Sequence, residues 1–129
     1  LHCYDPERDG SAPQKARKIY FVDPILYAIG ASWKHGITNI HDWFSKKVSD
    51  PSFRGTLFES LVVNHYGRGR ERVYFWYSTK TLKEIDLVLP SEKELLLYEV
   101  KLRPEPSWKA INHEVKIISP IDFLAANQP

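Results

Sequence analysis

The chain has 129 residues, 43% of them hydrophobic and 13% aromatic, so it can form a core and is not globally disordered. Its net charge of +2 neither indicates nor opposes nucleic-acid binding. No apolar run approaches the roughly 20 residues of a membrane-spanning helix, and no charged-then-apolar leader indicates secretion. The single cysteine, Cys3, favours a reducing compartment, so we expect a cytoplasmic protein. The absence of Met, even at position 1, suggests a domain cut from a longer protein.

Residues 1–23 are predicted to form a β-hairpin. Residues 1–4 and 16–22 have the pattern of short strands, and residues 5–13 between them are dense in turn-forming Asp, Pro and Gly. The hairpin is interpreted either as the wing of a truncated winged-helix module or as a plain β-ribbon leading into the main domain. Residues 24–129 are predicted to form that main domain.

Two short helices are predicted next. Asp23 followed by Pro24 is typical of a helix entry, with Asp as the N-cap and Pro in the first helical position. The helix is expected to cover residues 25–31. A second helix is predicted for residues 39–47, with residues 50–52 ending it.

Residues 56–66 have the strongest helical pattern in the chain. Their apolar side chains recur at the i, i+3, i+4 spacing of a buried stripe, and Gly67 ends the pattern. Glu59 lies among these apolar residues. It is either an exposed residue on the opposite face of the helix or a member of a functional site.

The remainder of the chain is predicted to contain most of the sheet, which gives an α/β (α+β) domain with a central mixed sheet flanked by helices. The predicted strands are residues 73–77, 84–89, 95–102 and 115–119; a helix is predicted for residues 107–114, and the type of the element at residues 121–125 is left open.

Charged residues within apolar strands are the main functional signal, because charges are rarely buried unless they are paired or hold a metal. If Pro90 and Leu95 close a hairpin, Asp86 lies opposite Glu99 with Cβ atoms roughly 5 Å apart. A divalent cation such as Mg²⁺ would relieve the repulsion between these carboxylates. Lys101 lies on the same strand face as Glu99, close enough to act on the same substrate.

The alternative is a solvated sheet face on which these charges are ordinary polar alternation. Leu95 and Leu97 share a face with Glu99, which favours a site. No nucleotide-binding P-loop, zinc pattern or covalent nucleophile is recognisable.

A basic loop precedes the first central strand. Arg68, Arg70 and Arg72 can pair with phosphate, and the aromatic residues Tyr74 and Trp76 that follow can stack on bases. The other interpretation is a solvated loop leading into a strand whose aromatic side chains pack in the core.

Glu59 on a helix, Asp86 on a strand and Glu99-Val100-Lys101 on the next strand resemble the PD-(D/E)XK nuclease superfamily over roughly residues 55–120. A second resemblance is narrower and spans nearly the whole chain. It is to an uncharacterised domain at the C-terminal end of many archaeal and bacterial AAA+-type ATPases, often after a winged helix. The residues that carry it are 18–24, 55–59, 84–86 and 98–101.

The resemblance implies a restriction-endonuclease-like core that hydrolyses DNA, or RNA, through a metal-activated water. Asp86, Glu99 and Glu59 would hold Mg²⁺ or Mn²⁺, and Lys101 would position the water or stabilise the developing charge. It also implies a partner ATPase domain in the same longer chain.

Two positions depart from the superfamily pattern. Ile85 stands where the name of the superfamily has Pro, which leaves the ligand unaffected. The superfamily pattern also has an additional Gln or Lys on the helix that follows. No clear equivalent is found in this sequence, although Lys109 is a candidate. Two alternatives therefore stay open: a nuclease-fold module that binds nucleic acid or protein without turnover, and a purely structural domain that docks its ATPase.

Overall fold

The computed structural model describes residues 1–126, which contain seven strands and four helices. Residues 127–129, the end of the predicted main domain, lie outside the described residues. The strands are β1 (His2–Asp5), β2 (Gly10–Ser11), β3 (Tyr74–Tyr77), β4 (Glu84–Pro90), β5 (Leu95–Val100), β6 (Trp108–Ala110) and β7 (His113–Ile118). The helices are α1 (Pro24–His35), α2 (Ile40–Lys47), α3 (Pro51–Gly67) and α4 (Pro120–Ala126).

The strands form one mixed sheet in the order β2-β1-β3-β4-β5-β7-β6. The β1–β3 and β5–β7 pairs are parallel, and the other neighbours are antiparallel. The predicted mixed α/β architecture is therefore confirmed. In the β4–β5 hairpin, Val88 lies opposite Leu97 and Pro90 opposite Leu95, which is the predicted register.

The two faces of the sheet carry different clusters. On one face, α3 and α4 pack against the strands: Val63 of α3 contacts the cluster of Leu87 and Leu89, and Val62 clusters with Phe123 of α4. The cluster on the other face consists of residues from strands and from the β6–β7 turn. Its buried members are Tyr4, Ile85, Val88, Leu97 and Val115.

Aromatic side chains hold the first three helices together. Phe53 of α3 contacts Tyr27 of α1 and both Trp43 and Phe44 of α2, with ring centroids 5.6–5.7 Å apart. Such contacts add to the hydrophobic stabilisation that burial alone supplies. They fix α3 relative to the N-terminal half of the chain, which matters because α3 carries Glu59.

The helix at residues 56–66 begins earlier than predicted. Asp50 was expected to end α2, but its carboxylate accepts a hydrogen bond of 2.9 Å from the Ser52 N–H and caps α3, with Pro51 in the first turn. The same Asp-Pro pair caps α1, where Asp23 accepts from the Ile25 N–H at 2.8 Å. Asp-Pro is an entry signal at both places.

The predicted helix at residues 107–114 is wrong. This segment contains strand β6, which pairs with β7 through Trp108 opposite Val115 and Ala110 opposite His113. Ile111 and Asn112 connect the two strands with φ values of 52° and 61°. A two-residue turn with both φ angles positive matches the twist of a hairpin and ends any helix. Lys109 therefore lies on a strand.

The second arm of the predicted N-terminal hairpin is also wrong. Strand β1 pairs with Gly10–Ser11, whereas residues 16–22 form no strand and make a single bridge between His2 and Arg17. Strand β1 also pairs with β3, so it is part of the main sheet. The winged-helix interpretation and the boundary at residue 23 stay predictions. In residues 1–126 no helix combines the length and apolarity needed to cross a membrane.

Candidate active site

Three carboxylates converge at one end of the central strands. Glu59 comes from α3, and Glu84 and Asp86 come from β4. One oxygen from each carboxylate lies within 4.8 Å of the other two. Like charges at this separation destabilise one another unless a cation lies between them.

The helix and the strand deliver these side chains by ordinary packing. Val63 of α3 packs over Leu87 and Leu89 of β4, and Glu59 lies one helical turn before Val63 on the same side. The carboxylate of Glu59 is therefore directed towards the beginning of β4. Glu84 and Asp86 lie two residues apart there, as expected for neighbours on one strand face.

A β-bulge in β4 changes which side Asp86 faces. Tyr74 of β3 lies opposite Val88 of β4, and Trp76 of β3 lies opposite Ile85 of β4. The two pairs are thus two residues apart on β3 but three residues apart on β4, so β4 contains one extra residue. The extra residue puts Ile85 and Val88 in the same cluster on the helix-free side. Regular alternation of side chains along a strand would put Asp86 and Val88 on the same face. Because of the bulge, Asp86 instead lies on the face of the sheet where Glu59 lies. Bulges commonly redirect a side chain in this way.

Asp86 is also an acceptor for the backbone of β5. The N–H of Val100 donates to its Oδ2 at 2.9 Å. The last residue pair between β4 and β5 is Leu87 with Tyr98. The Val100 N–H lies just beyond this pair, and the Asp86 carboxylate provides its hydrogen-bond acceptor. Asp86 is 8% exposed, and a buried backbone donor without an acceptor is costly. The side chain thus has a structural role besides its charge.

The ammonium of Lys18 lies among the three carboxylates. Its Nζ is 2.9 Å from an oxygen of Glu59, 2.9 Å from an oxygen of Asp86, and in direct contact with Glu84. Burial alone would lower the pKa of Lys18, but the charge of Asp86 and the hydrogen bonds to Glu84 and Glu59 outweigh it. The pKa of Lys18 consequently lies above its usual value, and the side chain is charged at neutral pH.

The segment that carries Lys18 is fixed at both ends. The N–H of Lys18 donates to the Leu1 carbonyl at 3.0 Å. Further along, the Phe21 carbonyl accepts from Ser60 Oγ at 3.0 Å and from Asn64 Nδ2 at 2.8 Å, both on α3. The segment therefore spans from Leu1, the residue before β1, to α3, and Lys18 on it contacts the carboxylates.

Tyr20 lies on this segment and donates its hydroxyl hydrogen to Glu59. Burial, followed by the nearby charge of Asp86, raises the pKa of Glu59 above 4.5, while the hydrogen bonds from Tyr20 and Lys18 oppose this rise. Burial and the hydrogen bond to Glu59 raise the pKa of Tyr20. The net effect favours the protonated form of Glu59.

Stability is expected to fall as the pH rises above about 10, and Tyr20 accounts for part of the fall. The pKa of Tyr20 is raised in the folded state, so folded protein keeps this proton where unfolded protein has lost it. Its stabilising contribution is complete below pH 10 and is lost as pH rises towards the folded pKa, by up to about 1.4 kcal/mol per pH unit. Urea unfolding between pH 9 and 11 should show a shallower decline for Tyr20→Phe. An unchanged slope would contradict this prediction.

Glu99 and Lys101 form a neighbouring pair. Lys101 Nζ lies 2.7 Å from Glu99 Oε1, and the indole N–H of Trp108 donates to Glu99 Oε2 at 2.7 Å. The hydrogen bond to Glu99 outweighs burial and raises the pKa of Lys101. These residues line a cleft of about 430 Å³ that also includes Glu84. Glu84 therefore belongs to both groups.

The predicted site residues are thus divided between two adjoining groups. Glu59 and Asp86 lie together, whereas Glu99 and Lys101 pair with each other beside the cleft. The described cluster places Asp86 with Glu84 and Glu59, and Glu99 lies outside it, so the predicted role of Glu99 as a metal ligand stays a prediction. The bulge is the physical reason for this division, because it turns Asp86 towards α3 while Glu99 stays with Trp108.

Sequence reasoning missed Lys18, Tyr20 and Glu84 as members of the site. Glu84 could have been found, because it lies two residues before Asp86. Lys18 and Tyr20 show the same two-residue spacing, but the sequence gives no indication that they meet a helix 39–41 residues away.

Residues 54–125 match the family model described as Domain of unknown function (DUF4143). The chain belongs to this family. The match includes all three carboxylates together with Glu99 and Lys101, whereas Lys18 and Tyr20 lie before it. Neither the curated proteins nor the solved structures contain a match to the chain.

The basic residues predicted to contact nucleic acid do not line the cleft beside the carboxylates of this DUF4143 domain. Arg68 and Arg70 line a separate depression at the end of α3. Arg72 pairs with Asp9 at 2.8 Å, and Lys109 is exposed on β6. The cleft beside the carboxylates is lined instead by Lys83 and Lys101.

Proposed function

We propose that the chain is a metal-dependent phosphodiesterase domain of nuclease type, with a restriction-endonuclease-like core, that cleaves DNA or RNA as part of an ATPase-associated protein. The observation that carries this proposal is the convergence of Glu59, Glu84 and Asp86, whose oxygens lie within 4.8 Å of one another. Carboxylate oxygens are the ligands that Mg²⁺ and Mn²⁺ prefer.

The charge of the cluster supports a divalent cation. Three carboxylates carry a formal charge of −3 when ionised, and the single ammonium of Lys18 compensates one unit. The remaining negative charge, in a partly buried position, favours a further cation or exchange of Lys18 for one. Glu59, Glu84 and Asp86 would hold the metal. The bound metal would supply a nucleophilic hydroxide and polarise the phosphodiester.

Lys101 supplies positive charge next to this position. The raised pKa of Lys101 keeps its ammonium protonated at neutral pH, so it acts as a cation rather than as a base. Glu99 holds this ammonium at 2.7 Å and orients it along the cleft. A fixed cation beside the scissile phosphate stabilises the negative charge that develops there during hydrolysis.

A second candidate is a nuclease-fold module that binds nucleic acid or protein without turnover. The observation in its favour is that Lys18 already contacts all three carboxylates. Each carboxylate oxygen of Glu99, the remaining predicted ligand, already has one partner, Trp108 or Lys101. If Lys18 never leaves, the cluster is a structural ion-pair network.

Cleavage assays distinguish the two candidates. Plasmid DNA, single-stranded DNA and RNA should be incubated with the protein in Mg²⁺, in Mn²⁺ and in EDTA. We expect metal-dependent cleavage, reduced about 10²–10³-fold in Lys101→Ala. Lys93→Ala is the matched control because Lys93 is exposed in the β4–β5 loop.

Thermal shifts with the same metals complete the test, because a ligand that binds only the folded state raises the melting temperature. No cleavage by the wild type, with or without a metal-dependent shift, would favour the binding module. No shift and no cleavage would overturn the proposed function. Equal cleavage by wild type and Lys101→Ala would exclude a role for Lys101.

A further inference from the structure

The cleft beside the carboxylates has a mixed lining that the proposed hydrolysis does not explain. Its volume of about 430 Å³ lies within the range of small-ligand sites, about 300–1,000 Å³. Trp108 and Leu82 give it an apolar wall, and Lys83 and Lys101 give it two ammonium groups. Glu84 connects it to the acidic cluster.

The indole of Trp108 is held in one orientation. Its N–H donates to Glu99 at 2.7 Å, and the ring packs against the strand cluster that contains Val115. Lys83 Nζ lies 4.5 Å from the ring centroid, over the face of the indole. Lys83 covers this face in the absence of a ligand, and its long, exposed side chain can swing to a phosphate and leave the face open for a flat π-system to stack on.

The loop that carries Leu82 and Lys83 is shaped towards the cleft. The N–H of Ser78 donates to the Lys83 carbonyl at 2.9 Å and closes the loop. Leu82 has a φ of 54° and is 74% exposed. A leucine in the left-handed region is strained, and strain of this kind is concentrated at functional sites. In this conformation Leu82 lines the cleft and stays largely exposed.

We propose that this cleft binds one nucleotide of a single-stranded nucleic acid, with the base stacked on Trp108 and the phosphates contacted by Lys83 and Lys101. This inference rests on the proposed function and specifies its substrate class. Bases in a duplex are stacked on one another, whereas bases of a single strand can stack on a protein side chain. Glu84 places the bound nucleotide next to the carboxylates.

Binding measured in EDTA tests this inference separately from metal-dependent cleavage. Fluorescence anisotropy should be recorded with short labelled oligothymidylate, oligouridylate and a duplex. We expect the single strands to bind more tightly than the duplex. Trp108→Ala should weaken single-strand binding about tenfold or more, because stacking on an aromatic residue contributes strongly for each base. Trp108→Phe keeps a ring and should stay within about threefold of wild type. The two single strands report whether DNA or RNA is preferred.

Two further variants complete the test. One is a control, and the other tests the inference independently if Trp108→Ala does not fold. Trp33→Ala is the matched control because Trp33 is 81% exposed on α1, and it should bind like wild type. Lys83 is exposed, so Lys83→Ala should fold, and it should reduce the dependence of log affinity on log salt by about one phosphate contact. Wild-type affinity in folded Trp108→Ala would overturn the inference. An unchanged salt slope in Lys83→Ala, or a preference for duplex, would do the same.

Discussion

Replacing Asp86 with alanine is expected to reduce metal-dependent cleavage to background and to abolish metal-dependent thermal stabilisation. The substitution removes one of three clustered carboxylates and also the acceptor for the Val100 N–H. Leaving that part-buried donor unsatisfied should lower the free energy of unfolding by about 1–2 kcal/mol. The variant therefore combines a loss of metal binding with a loss of stability.

Asp86→Asn separates these two effects. The asparagine carboxamide keeps an oxygen that can accept from the Val100 N–H but lacks the negative charge. We expect Asp86→Asn to be more stable than Asp86→Ala in urea, while both lack the rise in melting temperature with Mg²⁺. Glu92→Gln, in the exposed β4–β5 loop, is the matched control and should respond to metal like wild type. A full metal response in Asp86→Asn would show that the cluster is not the metal site.

The hairpin at the centre of this site shows how far sequence reasoning extends. Its register could be predicted because a loop of ordinary length between Pro90 and Leu95 leaves few alternatives, and Val88 does lie opposite Leu97. The bulge could not be predicted, because it depends on pairing with β3. One extra residue is enough to turn Asp86 to the other side of the sheet.

Local signals were misinterpreted where one pattern fits two structures. Asp50 with Pro51 both follows α2 and caps α3, and only the second role has a specific hydrogen bond. Residues 107–114 combine a plausible N-cap, Ser107, with too few residues to show helical or strand periodicity. Their hairpin requires positive φ values at Ile111 and Asn112. Isoleucine disfavours positive φ, so the sequence did not indicate a turn at this position.

The N-terminal contribution to the site lay beyond local reasoning altogether. Lys18 meets Glu59 across 41 residues and Asp86 across 68 residues. These contacts form because the segment that carries Lys18 packs against Leu1 and α3. The sequence pattern of residues 16–22 does not indicate this packing. The expected resemblance to the uncharacterised ATPase-associated domain included residues 18–24, but it assigned them no role at the site.

Replacing Lys18 with methionine is expected to make the protein dependent on divalent metal for its stability. Methionine keeps an apolar stem of similar length but leaves three carboxylates without their shared cation. In EDTA the free energy of unfolding should fall by about 1–3 kcal/mol, between the values typical of exposed and of fully buried charge pairs, because these pairs are part-buried. Mg²⁺ or Mn²⁺ should restore much of this loss.

The same substitution should tighten metal binding, because the metal no longer has to displace an ammonium that contacts all three of its ligands. We expect the metal concentration at half-maximal stabilisation to fall at least about tenfold, which corresponds to about 1.4 kcal/mol. Lys15→Met is the matched control, since Lys15 is exposed on the same segment. If Lys18→Met loses stability and metal does not restore it, Lys18 is a permanent part of an ion-pair network, and the cluster favours the binding module over the nuclease.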